Sequence, residues 1–597
     1  MIEAELLSQG DSNSAFIVAS RVGGGRSAVG TMQQNRPVRI ALVPGPGTTG
    51  LLCDIGEDGA AKSAPREVPD LAAAVATAER ESSPRWVWRS ALQTYPKLLR
   101  AGVRVTRCHD LDLTGALLGA RDGGAVASPA RPEALPEAEA GRQPLELPFE
   151  SAAGPRPDPA AALEALIAGH ADQLQRISAD TDPARFGLLA AAESAGGLVA
   201  AEMTAAGLPW RADIHDQLLT GVLGPRPRAT AGPLLRPAKL TELAVAISAE
   251  LGGVRPVNPD SPAQLLRALA ASGIRVSSTR SAVLRTVDHP VIPLLLQYKE
   301  LARLYGANGW SWLDTWVADG RFRPEYLVGG VVSGRWASRG GGALQIPKLL
   351  RQAVVADPGW TLVVADAAQL EPRILAALAG DRAFAEAAGS GDLYEAVAAA
   401  IGGERATAKV ALLSAMYGGT GGDGGQSLAL LRRRFPHASA FVESAARAGE
   451  EGRVVRSVLG RTCPPPSAAW RSLTSEGGDP ESVRDPGAGA AARARGRFTR
   501  NFVVQASAAD WAIVLLALLR ARLADIGASS GDGDTTAPEL VFFQHDEVIV
   551  HCPEALAADV VAAIDAAAAG AARLVFGATA VSFPMTTAVV SCYADAK

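Results

Sequence analysis

At 597 residues the chain is too long for a single core, so three or more packed units are expected. A net charge of -4 excludes a protein basic throughout, though it leaves room for a basic groove, and five cysteines without CxxC spacing exclude a disulfide framework or a thiolate zinc site. No basic stretch with an apolar core opens the sequence, and the strongest apolar run, 511–519, is about half of the ~20 residues that a spanning helix needs. A soluble, cytoplasmic protein without a membrane partner is the expectation.

Residues 1–35 are rich in Gly and Ser and read as disordered. The run VRIALV from Val38 predicts a strand, and 70–120 mixes helical and strand-like pieces. Between 121 and 160 Ala, Pro, Glu and Gly dominate, as in a linker. Amphipathic helical patterns follow at 160–205 and 236–252. From about 290 onward strand and helix signals alternate, interrupted by turn-rich loops at 473–492 and 526–538.

Two acids stand where an α/β chain presents side chains at an open edge. TLVVAD ends an apolar strand at Asp366, and AAQLEPRILAALAGD continues as a helix with Pro372 in its first turn. LVFFQHDEVIVHC places His545, Asp546 and Glu547 between two strand-forming runs, a tight hairpin with two acids at its tip. Uncompensated acids at such a turn ask for a cation. Brought together, two carboxylates suit phosphoryl transfer with two metal ions roughly 3.5–4 Å apart. By pattern alone each acid also fits a cap or a solvated turn, and sequence order cannot show that residues 366 and 546 meet.

The surrounding residues carry a resemblance. DAAQLEPRILAALAGD resembles the family A DNA polymerase motif DYSQIELRxLAHLSGD, with Asp366, Gln369, Glu371 and Arg373 in register, and QHDEVIV resembles VHDELV. RATAKVALLSAMYG (405–418) is similar to the fingers helix RxxxKxxxFGxxYG, with Arg405, Lys409 and Tyr417. SGRWASRGGGALQIP keeps Gly334, Arg335 and Gln345 of TGRLSSxxPNLQNIP, and RFTRNFVVQASAADWA keeps Arg497, Asn501, Gln505 and Asp510 of RxxxNxPxQGTAAD. VNPDSPAQLLRAL, GRVVRSVLGR and the terminal strand also resemble family blocks, in unbroken order over about 195–597.

The resemblance to the bacterial DNA polymerase I family implies an α/β right hand of palm, fingers and thumb behind an RNase H-like exonuclease-type domain. It divides the chain into the N-terminal segment 1–35, an exonuclease-like domain 36–190, thumb 191–330, palm 331–400, fingers 401–495 and palm 496–597. It implies a monomer acting on primer-template DNA and dNTPs with two Mg²⁺ ions, or Mn²⁺, at Asp366 and Asp546. Glu547 is a further ligand or a structural acid. Arg405 and Lys409 would grip the triphosphate, and Lys409 would protonate the leaving pyrophosphate. Gln369, Glu371, Leu413 and Tyr417 fall at the nucleotide, with Glu371 excluding a 2′-hydroxyl. Arg335, Gln345, Arg497, Gln505 and His545 fall at the primer terminus, template and minor groove. Arg432–Arg434 and Arg493–Arg500 form basic clusters.

The sequence also departs from the pattern. Leu413 replaces an aromatic platform, Ser414 a Gly and Ala367 a Tyr, an Asn near Gly341–Gly342 is missing, and the Gly-rich run after Tyr417 suggests short, flexible fingers. Slower or less processive synthesis is expected. The first strand has no acids, CDIGED lacks D-x-E spacing, and RVTRCHDLDLTGALL keeps only vestigial Asp110 and Asp112, so the exonuclease-like domain is expected to be degenerate and proofreading absent. Gap filling or repair suits such a chain. The rival readings are a non-catalytic protein that binds primer-template junctions, a bifunctional exonuclease-polymerase, and an RNA-templated polymerase.

Overall fold

The apolar run from Val38 becomes β1 (Arg39–Pro44), and its alternation decides which face meets which helix. With β2 (Gly50–Ile55), β3 (Arg66–Val68), β4 (Arg85–Trp88) and β5 (Arg107–Asp110) it forms a sheet of order β3-β2-β1-β4-β5. The β2 strand is antiparallel to β1 and β3, whereas β4 and β5 run parallel to β1. Ile40, Leu42, Trp86 and Trp88 pack with Val75 of α1 (Leu71–Ser82) and Tyr95 of α2 (Ala91–Arg100). After α3 (Leu111–Arg121), α4 (Pro159–Ser178) lays Leu163 and Leu166 against Ala41, Cys53 and Val87 on the opposite face. Each large side chain buried in this way contributes about 2–3 kcal/mol. The computed structural model describes residues 38–124, 158–227, 236–252, 256–339, 346–389, 391–417, 424–475, 486–529 and 537–596. The expected disorder of 1–35 and most of the 121–160 linker lie outside them.

The acid taken for a vestige has a structural task. Asp110 is fully buried; one carboxylate oxygen caps α3 at Leu113 N (3.0 Å) and the other accepts from Ala91 N (2.6 Å) at the start of α2. Asp112 pairs with Arg89 at 3.5 Å. Beside them, His109 Nε2 donates to Gln173 Oε1 (2.8 Å), whose amide nitrogen donates to Leu111 O, and the His170 ring stands edge-on at 4.4 Å from His109. Both imidazoles are buried, which pushes His109 down to about 4 and His170 down to about 2.

Folded values below the unfolded ~6.5 mean that the unfolded chain takes up protons first, so this stability is present above pH ~6.5 and is lost as pH falls. Burial raises Asp110 to about 7, which acts in the opposite sense over the same window. The clean observable is therefore a difference. From pH 7.5 to 5, His170→Leu should lose about 2 kcal/mol less stability than the parent in denaturant unfolding. Equal losses would show that His170 is not neutral in the fold.

The α5 helix (Pro183–Ala206) corrects the amphipathic reading: sixteen of its 24 residues are buried, so the hydrophobic stripe widens to the whole circumference. Small residues permit this, since a Cβ at Gly197 would sit 2.9 Å from Ala91 Cβ and one at Gly196 2.8 Å from Ile513 Cδ1. The helix also runs through the boundary drawn at 190/191. The first of two compact units takes the described residues up to Ala205, then Tyr326–Ala337 and Ala365–Thr587. The cause is packing and charge: Glu202 bonds both the Tyr95 hydroxyl (2.5 Å) and Arg520 (2.7 and 2.9 Å).

The second unit comprises Ala206–Glu325, Ser338–Val364 and Ala588–Lys597. Its core forms where α6 (Ala212–Leu223), α7 (Ala238–Glu250), α8 (Pro262–Ala271) and α9 (Val291–Asn308) bring together Leu219, Leu243, Leu265 and Leu295. The SPAQ sequence starts α8 by rule: Ser261 accepts from Gln264 N and Pro262 occupies the first turn.

The remaining chain supplies β6 (Trp360–Ala367), α10 (Leu370–Leu378), α11 (Leu393–Ile401), α12 (Arg405–Tyr417), α13 (Gly424–Arg434) and α14 (Pro436–Glu450). Then come α15 (Pro486–Ser529), β7 (Glu539–Gln544), β8 (Glu547–Pro553), α16 (Ala557–Phe576) and β9 (Met585–Val590). The sheet order is β7-β8-β6-β9.

Two expected loops are partly helical, because 486–492 opens and 526–529 closes α15; 476–485 and 530–536 lie outside the described residues. The fingers/palm boundary at 495/496 thus falls inside one helix. After Tyr417 the chain continues as α13 from Gly424, and most of the Gly-rich run on which the expectation of short, flexible fingers rests, 418–423, lies outside the described residues. Among the described residues three helical stretches, including Pro183–Ala206 and Gly487–Ser529, are long and apolar enough to cross a membrane, but 89% of the apolar window in each of these two is buried inside the protein. WAIVLLALL is the centre of such a core helix.

Candidate active site

Asp366 ends β6 half-buried, and Asp546 lies in the two-residue turn between β7 and β8. The Ala367 N–H donates to Asp546 O at 3.0 Å, so two acids remote in sequence stand on adjoining backbone. His545 takes the left-handed conformation (φ 57°), which shortens the turn, and as a residue it is exposed at the cleft. Glu547 is not at the tip: it opens β8 opposite Gln544 and is buried. Among the described residues no group of three or more His, Cys, Asp or Glu side chains is close enough to hold a metal ion. Two carboxylates are what Mg²⁺ asks of a protein when water and substrate oxygens fill its other positions, and Asp366 and Asp546 are the residues that could serve.

Glu371, in the first turn of α10, is the hub of the neighbouring cleft. One carboxylate oxygen pairs with Arg335 and the other accepts from the Tyr417 hydroxyl at the end of α12. Burial and then Glu371 raise the Tyr417 phenol, which also hydrogen-bonds the Gln505 side chain from α15. Partial desolvation where the ring meets the cleft, followed by Arg335, lowers the His545 imidazole. The cleft is lined by Arg335, Glu371, His545 and Asp546 on its polar side and by Trp336, Phe543, Ala509 and Ile513 on its apolar side.

Arg405 and Lys409 gather elsewhere on α12. Arg405 forks onto Asp392 (2.7 and 3.1 Å), and both cations stand over the Tyr394 ring at 5.5 and 5.8 Å. Leu413 is half-buried one turn further on. Gln369 caps α10 in the left-handed conformation (φ 56°), and its side-chain oxygen accepts from Leu393 N (2.9 Å) and Arg373 (3.3 Å), so that oxygen ties α10 to α11. Arg497 is exposed on α15 two turns before Gln505, and Gln345 lies outside the described residues.

Local pattern assigned no role to Asp392, Tyr394, Trp336 or Phe543. Asp392-Leu393-Tyr394 reads as a helix start, which it is: Asp392 accepts from Glu395 N. The Trp336 and Phe543 rings meet edge-on at 5.3 Å, a contact between residues about 200 apart that no local signal announces.

The model of DNA polymerase family A matches residues 237–589. The chain is 27% identical over 298 residues to the thermostable DNA polymerase I of Thermus filiformis, covering 45% of this chain and 32% of the relative. It is 26% identical over 319 residues to that of Thermus thermophilus, covering 48% and 35%. The match thus spans about a third of the length of these curated relatives. Among solved structures it is similar to the POL domain of Pol1 from M. smegmatis, solved with DNA primer-template and dNTP, at TM-score 0.65 and 18% identity over 94% of this chain and 96% of that one. That likeness shows the polymerase-domain fold.

Proposed function

Because the chain belongs to DNA polymerase family A, we propose that it is a DNA-directed DNA polymerase extending a primer 3′ end at Asp366 and Asp546. The observation that carries this reading is the Ala367 N to Asp546 O bond, which joins the two acids beside a cleft holding Glu371, Tyr417 and Arg335. Divalent ions bound there, Mg²⁺ or Mn²⁺, would supply charge for the developing phosphate oxyanions and a lowered pKa at the attacking hydroxyl. The protein's own residues do the rest.

Arg405 is held by a half-exposed ion pair with Asp392. Such pairs contribute about 0–1 kcal/mol, so an incoming triphosphate readily takes the guanidinium over. Lys409, one turn on, is a compact cation suited to giving a proton to the leaving group. Glu371 is immobilised by two partners, which makes it a wall against a ribose 2′-hydroxyl. Arg335, Gln505 and His545 line the side where a primer-terminal base pair would present minor-groove acceptors common to all pairs. Arg497 offers an exposed charge to a phosphate.

Two features of the N-terminal unit support a domain without hydrolytic activity: an acid-free β1 and an Asp110 engaged at two helix starts. Gap filling without proofreading, by a cytoplasmic monomer, is the role that suits such a chain.

Primer extension on a labelled primer-template with Mg²⁺ or Mn²⁺ and four dNTPs tests the reading, beside a lane without dNTPs. Elongation with no shortening is expected. Failure to elongate together with tight junction binding would turn the reading into the scaffold alternative, and shortening would overturn the inactive exonuclease. Leu413→Phe restores a stacking surface beside Lys409. It should lower the KM for dNTP by roughly 5- to 150-fold, the equivalent of about 1–3 kcal/mol. An unchanged KM would mean that position 413 does not face the base.

A further inference from the structure

Arg461, the last residue of the GRVVRSVLGR block, was given no role above, yet it sits in a buried ion group of the first unit. Its side chain is 7% exposed between Glu193 of α5 (3%) and Asp510 of α15 (0%). A terminal nitrogen is 2.6 Å from Glu193 Oε1 and Nε donates to Asp510 Oδ1 at 3.2 Å. The turn carrying it is fastened to the same helix: Leu459 N donates to Asp510 Oδ2 (3.1 Å) and Val458 N to Ser507 Oγ (3.0 Å), while Arg461 N donates to Ser457 Oγ (2.9 Å) within the turn. Two buried carboxylates and one guanidinium are costly to desolvate, so the arrangement contributes little net stability compared with an apolar core. Its contacts point instead to a use in fixing geometry.

What it touches is the turn that delivers Arg335. Gly334 has φ 83°, and a Cβ there would collide with the Arg461 guanidinium; one at Gly329 (φ 60°) would meet Glu193 Oε1 at 3.3 Å. The turn closes through Gly334 N to Val331 O (2.7 Å) and Val331 N to Arg335 O (3.0 Å). On the other side of Arg335, Trp336 is buried edge-on against Phe543 of β7. Arg335 is thus a single residue between two anchored neighbours, with its own side chain one-third exposed and paired to Glu371.

We propose that Arg461 is a positioning residue: with Glu193 and Asp510 it forms a rigid floor under Gly334 that aims Arg335 at Glu371 and the primer-terminal pair. The inference rests on the polymerase reading. Aim matters because the Arg335 guanidinium must meet Glu371 and a base edge with fixed, planar donors, and small displacements forfeit such bonds.

A double-mutant cycle tests it. Arg335→Ala should lower kcat/KM for primer extension by about 10- to 100-fold. Arg461→Lys keeps the charge but loses the fork, and Gly334→Ala leaves the three ionised residues intact while pressing on them. Each should lower kcat/KM by about tenfold alone and by less than about twofold in the Arg335→Ala background, since the residue being aimed is already gone. Thermal midpoints measured alongside show which variants fold, and Gly334→Ala keeps the test alive where Arg461→Lys does not. Additive losses in a folded pair would overturn the positioning role while leaving the polymerase reading intact. A parent protein unable to extend a primer would overturn both.

Discussion

Asp366→Asn and Asp546→Asn are each expected to lower primer extension on the order of 10³-fold. Asn keeps the volume of Asp and removes its charge, so each variant loses the ability to hold a divalent cation. Electrostatic stabilisation worth several kcal/mol, at about 1.36 kcal/mol per decade, accounts for three decades. The fold should be indifferent: Asp366 is half-buried at a strand end, and the bond joining the two segments uses the Asp546 backbone oxygen, which the substitution leaves untouched. Primer-template affinity should stay level or rise, because one negative charge near the phosphates has gone. Single-turnover extension and a gel shift, each in Mg²⁺ and Mn²⁺, separate the two properties. A variant retaining more than about a tenth of the parental rate would show that its carboxylate is not part of the reacting centre.

The part of this site legible in the sequence was the part that local pattern encodes. A strand-end acid, an HDE hairpin and a helix carrying Arg405, Lys409 and Tyr417 each have their own periodicity, and the family register supplied the convergence that periodicity cannot. What escaped was long-range or masked by composition. PGAGAAARARG reads as a loop because of its Gly and Pro, yet its alanines and arginines are strong helix formers and α15 runs through it. The α5 helix was expected, but as an amphipathic one: its Ala and Gly gave no sign that it is buried on all sides. Asp510 and Arg461 stand in family blocks, but that they meet Glu193 from a third segment is something no local pattern shows.

Arg373 shows the same gap between register and role, and its removal carries a large expected effect on stability. The sequence placed it four residues after Gln369, on a helix face where a guanidinium is usually solvated. In the structure it is fully buried. Its Nε donates to Ala368 O (3.0 Å), Nη1 to Ala388 O (2.7 Å) and Ser582 O (3.0 Å), and Nη2 to Gly391 O (2.6 Å). Burial lowers its pKa, with Asp392 acting the other way. One side chain therefore closes the α10 entrance, the 388–391 segment and the approach to β9, where no regular ladder could reach all three. Arg373→Met fills similar space but removes four hydrogen bonds from a charged donor, to carbonyls that are mostly part-buried and of which Ala388 O keeps Ser582 N, at roughly 1 kcal/mol each, so a loss of about 3–5 kcal/mol is expected in denaturant unfolding. Arg373→Lys should recover little, because an ammonium on a flexible stem cannot span carbonyls that a planar fork reaches together. Hydrogen exchange should locate the damage at 368–391 and 582–585, next to Asp366. A loss below about 1 kcal/mol would mean that water or the backbone satisfies these carbonyls unaided, and the joint between β6 and α10 would need another origin.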